Sequence, residues 1–301
     1  MKKLLSIFAL ICILLSLSSC GSQESHNSPI DDTDYNQEIE HSTDENEPEN
    51  DKEEVVSVYN DDEFIQDAQR AAEVRWSAAN SVSDEQLNAM SVAEYQKTMK
   101  SFVQKEVDEF KDPSYYSFEN AEVEKLANYI FKGIDLQLEG AQYIGVDDAN
   151  AVTKSDATWV LGTYYRYYAY YNLYMDGKLS FDSQYKDAVD AMTGLYATAK
   201  EKVELQEYVN YISQTIELKE DEENSTDYYK QYTSVIENTT EYTISSLAVE
   251  INFLDSDGVI IENASDYIQN FKSGDKVRIN ISFDASKGEF SSYDVSISCY
   301  I

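Results

Sequence analysis

The sequence predicts an α+β protein of two domains, a helical bundle of five or six helices followed by a small antiparallel β-sandwich. Apolar residues recur at helical spacing between about residues 59 and 220, and β-branched and aromatic residues dominate short runs after residue 240. A charged segment at residues 219–226 separates the two patterns. We therefore expect domains at residues 58–222 and 223–301, preceded by a signal peptide at residues 1–19 and a disordered acidic tether at residues 20–57.

The N-terminus has the pattern of a secretory signal: Lys2 and Lys3 precede an apolar run of 14 residues. That run is shorter than the roughly 20 residues that a membrane-spanning helix needs. It ends at Leu17-Ser-Ser-Cys20, which resembles the lipobox of bacterial lipoproteins. The resemblance implies that Cys20 is acylated and anchors the protein to the extracytoplasmic face of the cell membrane. The alternative is an ordinary signal peptide with a chance cysteine.

The segment after Cys20 is strongly acidic. Residues 22–54 hold 13 acidic residues and one lysine, without apolar periodicity, so this tether is predicted to be disordered. The formal net charge of the whole chain is −34, which predicts repulsion from nucleic acid and excludes it as a partner. The excess of lysine over arginine, with abundant Asn, Ile and Tyr, favours a Gram-positive source.

The helical region divides into predicted elements by its apolar stripes and stop signals. A capping-box pattern, Ser91-x-x-Glu94, begins one helix, which Pro113 ends, and Gly177 ends another. The predicted apolar stripes and helices are Phe64, Ala68, Ala71, Ala72 and Ala79; Tyr95, Met99, Phe102, Val103 and Phe110; Val123 to Ala141; about Asp156 to Asp176; and one or two helices over Gln184 to Leu218.

The helix ending at Gly177 is rich in tyrosine, with seven tyrosines between Gly162 and Gly177. On a helical wheel, aromatic residues fill one arc, while Gly162, Arg166 and Ala169 lie on the opposite arc, where Gly162 and Ala169 would let another helix come close. Such a helix is typical of the centre of a bundle, where each ring is buried. The alternative is that part of the arc lines a groove for a glycan or peptide. Its ligand-binding residues would then be Trp159, Tyr164, Tyr168 and Tyr171.

The C-terminal runs predict strands at Tyr242–Leu254, Val259–Glu262, Lys276–Phe283 and Tyr293–Tyr300. Asp255-x-Asp257-Gly258 is interpreted as a hairpin turn, because an EF-hand loop would have its glycine two residues later. These features, with Val235-Ile-Glu-Asn238-Thr and Gly274, resemble the FxLYD β-sandwich module of Gram-positive surface lipoproteins. The segment Ile251–Asp255 departs from the name motif. The resemblance implies no catalytic residue.

The inventory of reactive side chains is short. His26 and His41 both lie in the predicted tether, and Cys299 is the only cysteine after Cys20. Histidine triads and histidine or thiolate metal sites are therefore not expected in the folded domains, and no cofactor or metal is predicted. We expect a non-enzymatic binding or envelope-associated role with an unidentified protein, peptide or glycan ligand. A carboxylate-pair hydrolase of cell-wall or extracellular glycans is the alternative.

Glu106 lies within the apolar face of its predicted helix, between Phe102 and Phe110. A buried carboxylate must be protonated or paired. Arg75 and Arg166 lie on helices that should pack nearby, so we predict an ion pair with one of them and a tyrosine hydroxyl as a third member. The alternative is a rotated helix that exposes Glu106. The expected role of the pair is architectural.

Overall fold

The computed structural model describes residues 58–300. The predicted signal peptide, Cys20, both histidines and the acidic tether lie outside the described residues. Within the described range, helices come first and strands follow, as the α+β prediction requires. The α-helical segments are α1 Asp61–Asn80, α2 Asp84–Ala89, α3 Val92–Val107, α4 Ala121–Gly140, α5 Ala149–Ser155, α6 Leu161–Met175 and α7 Lys186–Thr215. The strands are β1 Lys219–Glu220, β2 Tyr229–Glu237, β3 Ile244–Leu254, β4 Ile260–Phe271, β5 Lys276–Asp284 and β6 Ser292–Tyr300.

Local signals set the helix ends. Capping boxes begin α1, α2 and α3, and the third is the predicted pair Ser91 and Glu94. Gly177 follows α6 with a φ of +69°, a backbone conformation that glycine adopts without steric cost. A π-helical turn, Asp156–Val160, joins α5 to α6, so the tyrosine helix begins seven residues before its predicted start. With α5 and α6 continuous, the bundle has six helices.

Glycines allow α4 and α6 to pack closely. A Cβ on Gly133 would lie 2.6 Å from the Gly162 carbonyl oxygen, and a Cβ on Gly162 would lie 2.6 Å from the Gly133 carbonyl oxygen. Gly140, one heptad after Gly133, meets Thr158 in the π turn in the same way, because a Cβ there would lie 2.4 Å from Thr158 Oγ1. The two backbones therefore approach as near as their atoms permit.

The bundle core surrounds α6. Tyr165, Tyr170 and Leu173 are at most 1% exposed, and Phe64 of α1 and Ile130 of α4 pack in the same cluster. The arc opposite the aromatic residues is covered as well, because Gly162, Tyr165, Arg166 and Ala169 are all buried. Small residues and a paired arginine let neighbouring helices pack against this arc. The central position of the helix is as the core interpretation expected.

The strands form two three-stranded antiparallel sheets with orders β1-β2-β5 and β4-β3-β6. The hairpin predicted at Asp255–Gly258 joins β3 to β4: the Asp255 carboxylate accepts the backbone N–H groups of Asp257 and Val259, both at 2.9 Å. Three parts of the strand prediction were wrong. Strands β1 and β2 were not predicted, and β4 extends nine residues beyond Glu262, to Phe271.

Helix α7 belongs to both halves of the molecule. Met192, Ala199 and Val203 lie in the bundle core, whereas Leu205 and the buried residues after it pack in the core of the β-sandwich. The C-terminal half contacts β6, and the Tyr293 hydroxyl donates to the Ile216 carbonyl at 3.2 Å. The core against which α7 packs therefore changes from the bundle to the β-sandwich between Val203 and Leu205, upstream of the predicted domain boundary at residues 222–223.

Candidate functional site

Among the described residues, the most deeply buried charged group is the carboxylate of Glu106, on α3, which is 0% exposed. Its Oε1 accepts hydrogen bonds from Arg166 Nε at 2.9 Å and from the Tyr170 hydroxyl at 2.8 Å. Its Oε2 lies 2.6 Å from Arg166 Nη2 and 2.8 Å from Arg75 Nη1. Glu106 thus pairs with both Arg75 and Arg166, where the prediction required one of them, and the Tyr170 hydroxyl is the predicted third member.

This network holds Glu106 ionised. Burial alone would raise the pKa of its carboxyl, but the charges of Arg166 and Arg75 and the hydrogen bonds from Arg166 and Tyr170 outweigh burial and lower the pKa below its ordinary value. The carboxylate joins α1, α3 and α6 and has no exposed surface. It is therefore suited to fixing helix positions and is not accessible to a substrate.

The four aromatic residues predicted to line a groove do not come together as one surface. Tyr164 is 4% exposed and belongs to the core, and Trp159 lies half-buried in the π turn. Tyr171 stacks on Tyr196 with ring centroids 4.0 Å apart. Of the four, only Tyr168 lines an open crevice, so the structure does not form the predicted groove along α6.

That crevice lies between the bundle and the β-sandwich, with a cavity volume of about 430 Å³. Pockets in proteins occur preferentially at such junctions. Residues from α4, α6, α7 and the loop between β2 and β3 line it, and four of them are tyrosines. The lining residues are Lys125, Tyr129, Tyr168, Val203, Glu204, Glu207, Tyr208, Tyr211, Thr239, Thr240 and Glu241.

The loop that forms the sandwich side of the crevice is held by Asn238, which is 0% exposed. Its Nδ2 donates to the backbone carbonyls of Tyr242 at 2.9 Å and Phe271 at 2.8 Å, and its Oδ1 accepts from the Thr240 backbone N–H at 3.0 Å and hydroxyl at 2.7 Å. Because these bonds fix the backbone from residue 238 to 242, Thr240 and Glu241 are positioned before any ligand binds. Glu241 also binds Lys200 of α7, with Oε1 2.5 Å from Nζ.

The bundle side of the crevice is equally well supported. Glu207 Oε1 accepts hydrogen bonds from the Tyr165 hydroxyl at 2.5 Å and from Lys132 Nζ at 2.8 Å. Tyr129 contacts the rings of Tyr165 and Tyr168 edge-on, with centroids 5.3 and 5.8 Å apart. Burial, reinforced by the charge of Glu207, raises the pKa of the Tyr129 hydroxyl, which therefore stays protonated and able to donate.

Tyr208 differs from the other lining residues. Its side chain is buried, with 4% of the residue exposed, yet its hydroxyl has no hydrogen-bond partner among the described residues. Buried hydroxyl groups in proteins are normally hydrogen-bonded. Burial raises the pKa of this hydroxyl, so it carries its proton and can both donate and accept.

Metal-binding and thiol chemistry find little support in residues 58–300. No group of three or more His, Cys, Asp or Glu residues in this range is arranged to hold a metal ion. Cys299 is half-buried on β6, and burial raises the pKa of its thiol, which makes it a poor nucleophile. None of the helices in the same range has the length and apolar character to cross a membrane.

Sequence reasoning missed most of the crevice. Glu204, Glu207, Tyr208 and Tyr211 follow the spacing i, i+3, i+4 and i+7, which places them on one face of α7 and was a usable signal. The contribution of residues 239–241 had no such signal, because it depends on how the loop after β2 reaches α7.

Comparison with known proteins finds no relative of this chain. No family model, no curated protein and no solved structure matches it.

Proposed function

We propose that the protein is a lipid-anchored extracytoplasmic lipoprotein that acts by binding, and that the crevice between the bundle and the β-sandwich is its ligand site. The observation that carries this proposal is the composition of the crevice, four tyrosines and three glutamates on walls that buried hydrogen bonds hold in place. Tyrosine provides rigid contact surface with a polar end, which suits recognition of peptides and glycans. Pre-positioned walls reduce the ordering cost of binding.

The anchoring part of the proposal rests on the sequence. The lipobox-like Leu17-Ser-Ser-Cys20 and the resemblance to Gram-positive FxLYD modules both support a cell-surface lipoprotein. Labelling with a palmitate analogue tests this part: Cys20→Ala should abolish the label, and undiminished label on the variant would contradict acylation at Cys20.

Site-specific photo-crosslinking in intact cells tests the binding site. A photoreactive benzophenone amino acid replaces Tyr211, which is 59% exposed at the crevice, or Tyr228, which is 74% exposed and lies outside the crevice lining. We expect a crosslinked ligand from position 211 and none from position 228. Equal crosslinking from both positions, or none from position 211, would place ligand binding elsewhere.

The alternative function, a carboxylate-pair hydrolase, requires one carboxyl group with a raised pKa to act as the general acid. In the crevice, a hydrogen bond from Lys200, together with its charge, lowers the pKa of Glu241 instead. Glu241 is therefore unsuited to be the general acid, and binding remains the leading proposal. Release of reducing sugars from cell-wall glycan by the purified protein, lost in Glu207→Gln, would reverse this preference.

A further inference from the structure

We propose that the exposed side of α3, which carries Lys97, Lys100 and Lys105, is a docking surface for the protein's own acidic tether, residues 22–54. Carboxylates of the tether would contact these lysines. The surface is separate from the crevice and requires neither a ligand there nor acylation of Cys20. Three features support it: the unpaired lysines, the charge of the tether, and the place where the tether joins the folded body.

The three lysines lie opposite the buried side of α3. That side is formed by Phe102, Val103 and Glu106. With 3.6 residues per turn, the lysines fall on the other side of the helix, where all three are exposed. Among the described residues, none of the three forms an ion pair. Acidic residues outnumber basic ones 57 to 23 in the chain, so these lysines lack partners although carboxylates are abundant.

The exposed acidic residues beside these lysines bind other groups. The Glu94 carboxylate accepts hydrogen bonds from the Ser91 backbone N–H at 2.9 Å and from the Ser91 hydroxyl at 2.7 Å. The Asp108 carboxylate accepts a hydrogen bond from Gln104 Nε2 at 3.0 Å. The lysine ammonium groups are therefore available to carboxylates that lie outside the described residues.

The acidic tether carries the complementary charge, because residues 22–54 hold 13 acidic residues and one lysine. The whole chain has a formal net charge of −34, so most of its surface repels this segment. At physiological ionic strength, however, interactions between exposed charges are largely screened beyond about 8 Å. Contacts at close range therefore determine where the tether binds, and α3 offers lysines without competing carboxylate partners.

The tether joins the folded body beside the end of α3. The Tyr59 backbone N–H donates to the Tyr115 carbonyl at 2.9 Å, and the Ser117 N–H donates to the Tyr59 carbonyl at 2.7 Å. Both partners lie in the segment that follows α3. Lys111 of the same segment places its Nζ 5.7 Å from the centroid of the Tyr59 ring. These contacts fix the point from which the tether departs next to this helix.

The length and attachment of the tether suit this surface. Helix α3 has 16 residues and is therefore about 24 Å long. About eight residues of extended chain span that length, and residues 22–54 exceed this number. Because the tether is part of the same chain, its effective concentration at α3 is on the order of millimolar, which a separate acidic partner does not have. Weak contacts between exposed charges can then maintain the docking.

Carbodiimide crosslinking of the full chain in a neutral detergent tests the docking, because it joins a carboxylate to a lysine amine only when the two are in contact. An equal mixture of isotope-labelled and unlabelled protein distinguishes joining within one copy from joining between copies by mass spectrometry. We expect residues 22–54 to be joined to the α3 lysines of the same copy, at least fivefold more than to exposed lysines of the sandwich that have no ion pair. Those control lysines are Lys219, Lys272 and Lys287.

The joined peptides should disappear in about 1 M salt, where the screening length falls to about 3 Å. Equal joining to the α3 and sandwich lysines would overturn the proposal, and so would the absence of joined peptides from the tether. Joining only between copies would instead assign the surface to a second copy of the chain.

Variants test the lysines by a readout that does not use lysine chemistry, a photoreactive benzophenone amino acid in place of Tyr35 of the tether. One variant removes the α3 lysines: Lys97→Gln, Lys100→Gln and Lys105→Gln. Its control removes the same charge from the sandwich: Lys219→Gln, Lys272→Gln and Lys287→Gln. We expect photoproducts between position 35 and α3 in the wild type and the control, and at least fivefold fewer in the α3 variant. Undiminished photoproducts in the α3 variant would show that these lysines do not hold the tether.

Discussion

Glu106 in the bundle and Asn238 in the β-sandwich are both 0% exposed, and each bonds to several segments of the chain. Their partners differ in kind. Glu106 is bound by side chains of Arg75, Arg166 and Tyr170, which come from two other helices. Asn238 is bound mainly by backbone groups of its own loop and of Phe271.

The two kinds of partner determine different parts of the structure. A charge that must meet two particular side chains determines how helices pack, because any other arrangement leaves a buried charge unpaired. A neutral amide that binds backbone groups determines the shape of a loop and adds no charge to the core. In this protein the first kind orders the bundle, and the second kind shapes the sandwich side of the crevice.

The largest effect should come from Glu106→Gln. The variant leaves Arg75 and Arg166 buried with no counter-charge, so the free energy of unfolding should fall by about 3–5 kcal/mol. Denaturant titration at pH 7 measures the loss. Glu139→Gln, on the less buried side of α4, is the control and should change stability by roughly 0.5 kcal/mol or less. A comparably small loss for Glu106→Gln would show that the ionised carboxylate does not hold the helices.

Asn238→Ala should have the next largest effect. It removes hydrogen bonds to buried backbone groups of Thr240 and Phe271, so we expect a loss of about 2–3 kcal/mol. Asn263→Ala is the matched control, because Asn263 is exposed and its side chain bonds to Asn252 across the sheet, at 2.8 Å. Equal losses of unfolding free energy in the two variants would show that the Asn238 side chain does not hold the loop at residues 238–242.

A smaller effect separates two helical glycines. Gly162→Ala places a Cβ 2.6 Å from the Gly133 carbonyl oxygen and should cost about 1–3 kcal/mol, because backbone atoms must move apart. A Cβ added to Gly194 of α7 would meet nothing within 4 Å among the described residues. Gly194→Ala should therefore stabilise the protein by about 0.5–1 kcal/mol, through the lower entropy of the unfolded chain. Thermal unfolding that shifts in the same direction for both variants would contradict the close α4–α6 contact.

The sequence predicted features that follow from helical periodicity and local turns. Glu106 could be placed because its position between Phe102 and Phe110 puts it on the buried face, and the scarcity of arginines restricted its partners. The hairpin at Asp255–Gly258 depends on adjacent residues and was likewise predictable. The small residues Gly162 and Ala169 likewise predicted a close helix contact on α6, and Gly162 makes such a contact with Gly133 of α4.

The crevice could not be predicted for a different reason. It exists because α7 continues past the end of the bundle core and because residues 239–241 reach it from the sandwich. Strand β2 was missed for a related reason: its exposed and half-buried residues show little alternation, and its pairing with β5 joins residues that are 39 to 55 positions apart in the chain. Both features depend on packing between distant parts of the chain.

The most direct test of the contrast between a charged and a neutral buried residue is the pH dependence of the two substitution costs. Glu106 has a lowered pKa in the folded protein, so its contribution to stability is complete above the ordinary carboxyl value of 4.5 and is lost as pH falls through the lower folded pKa. Denaturant titrations of the wild type, Glu106→Gln and Asn238→Ala at pH 7 and at successively lower pH values down to about pH 2, below the carboxyl range, measure both costs. We predict that the cost of Glu106→Gln shrinks as pH falls, while that of Asn238→Ala stays constant. A cost of Glu106→Gln that stays constant with pH, parallel to that of Asn238→Ala, would contradict the account.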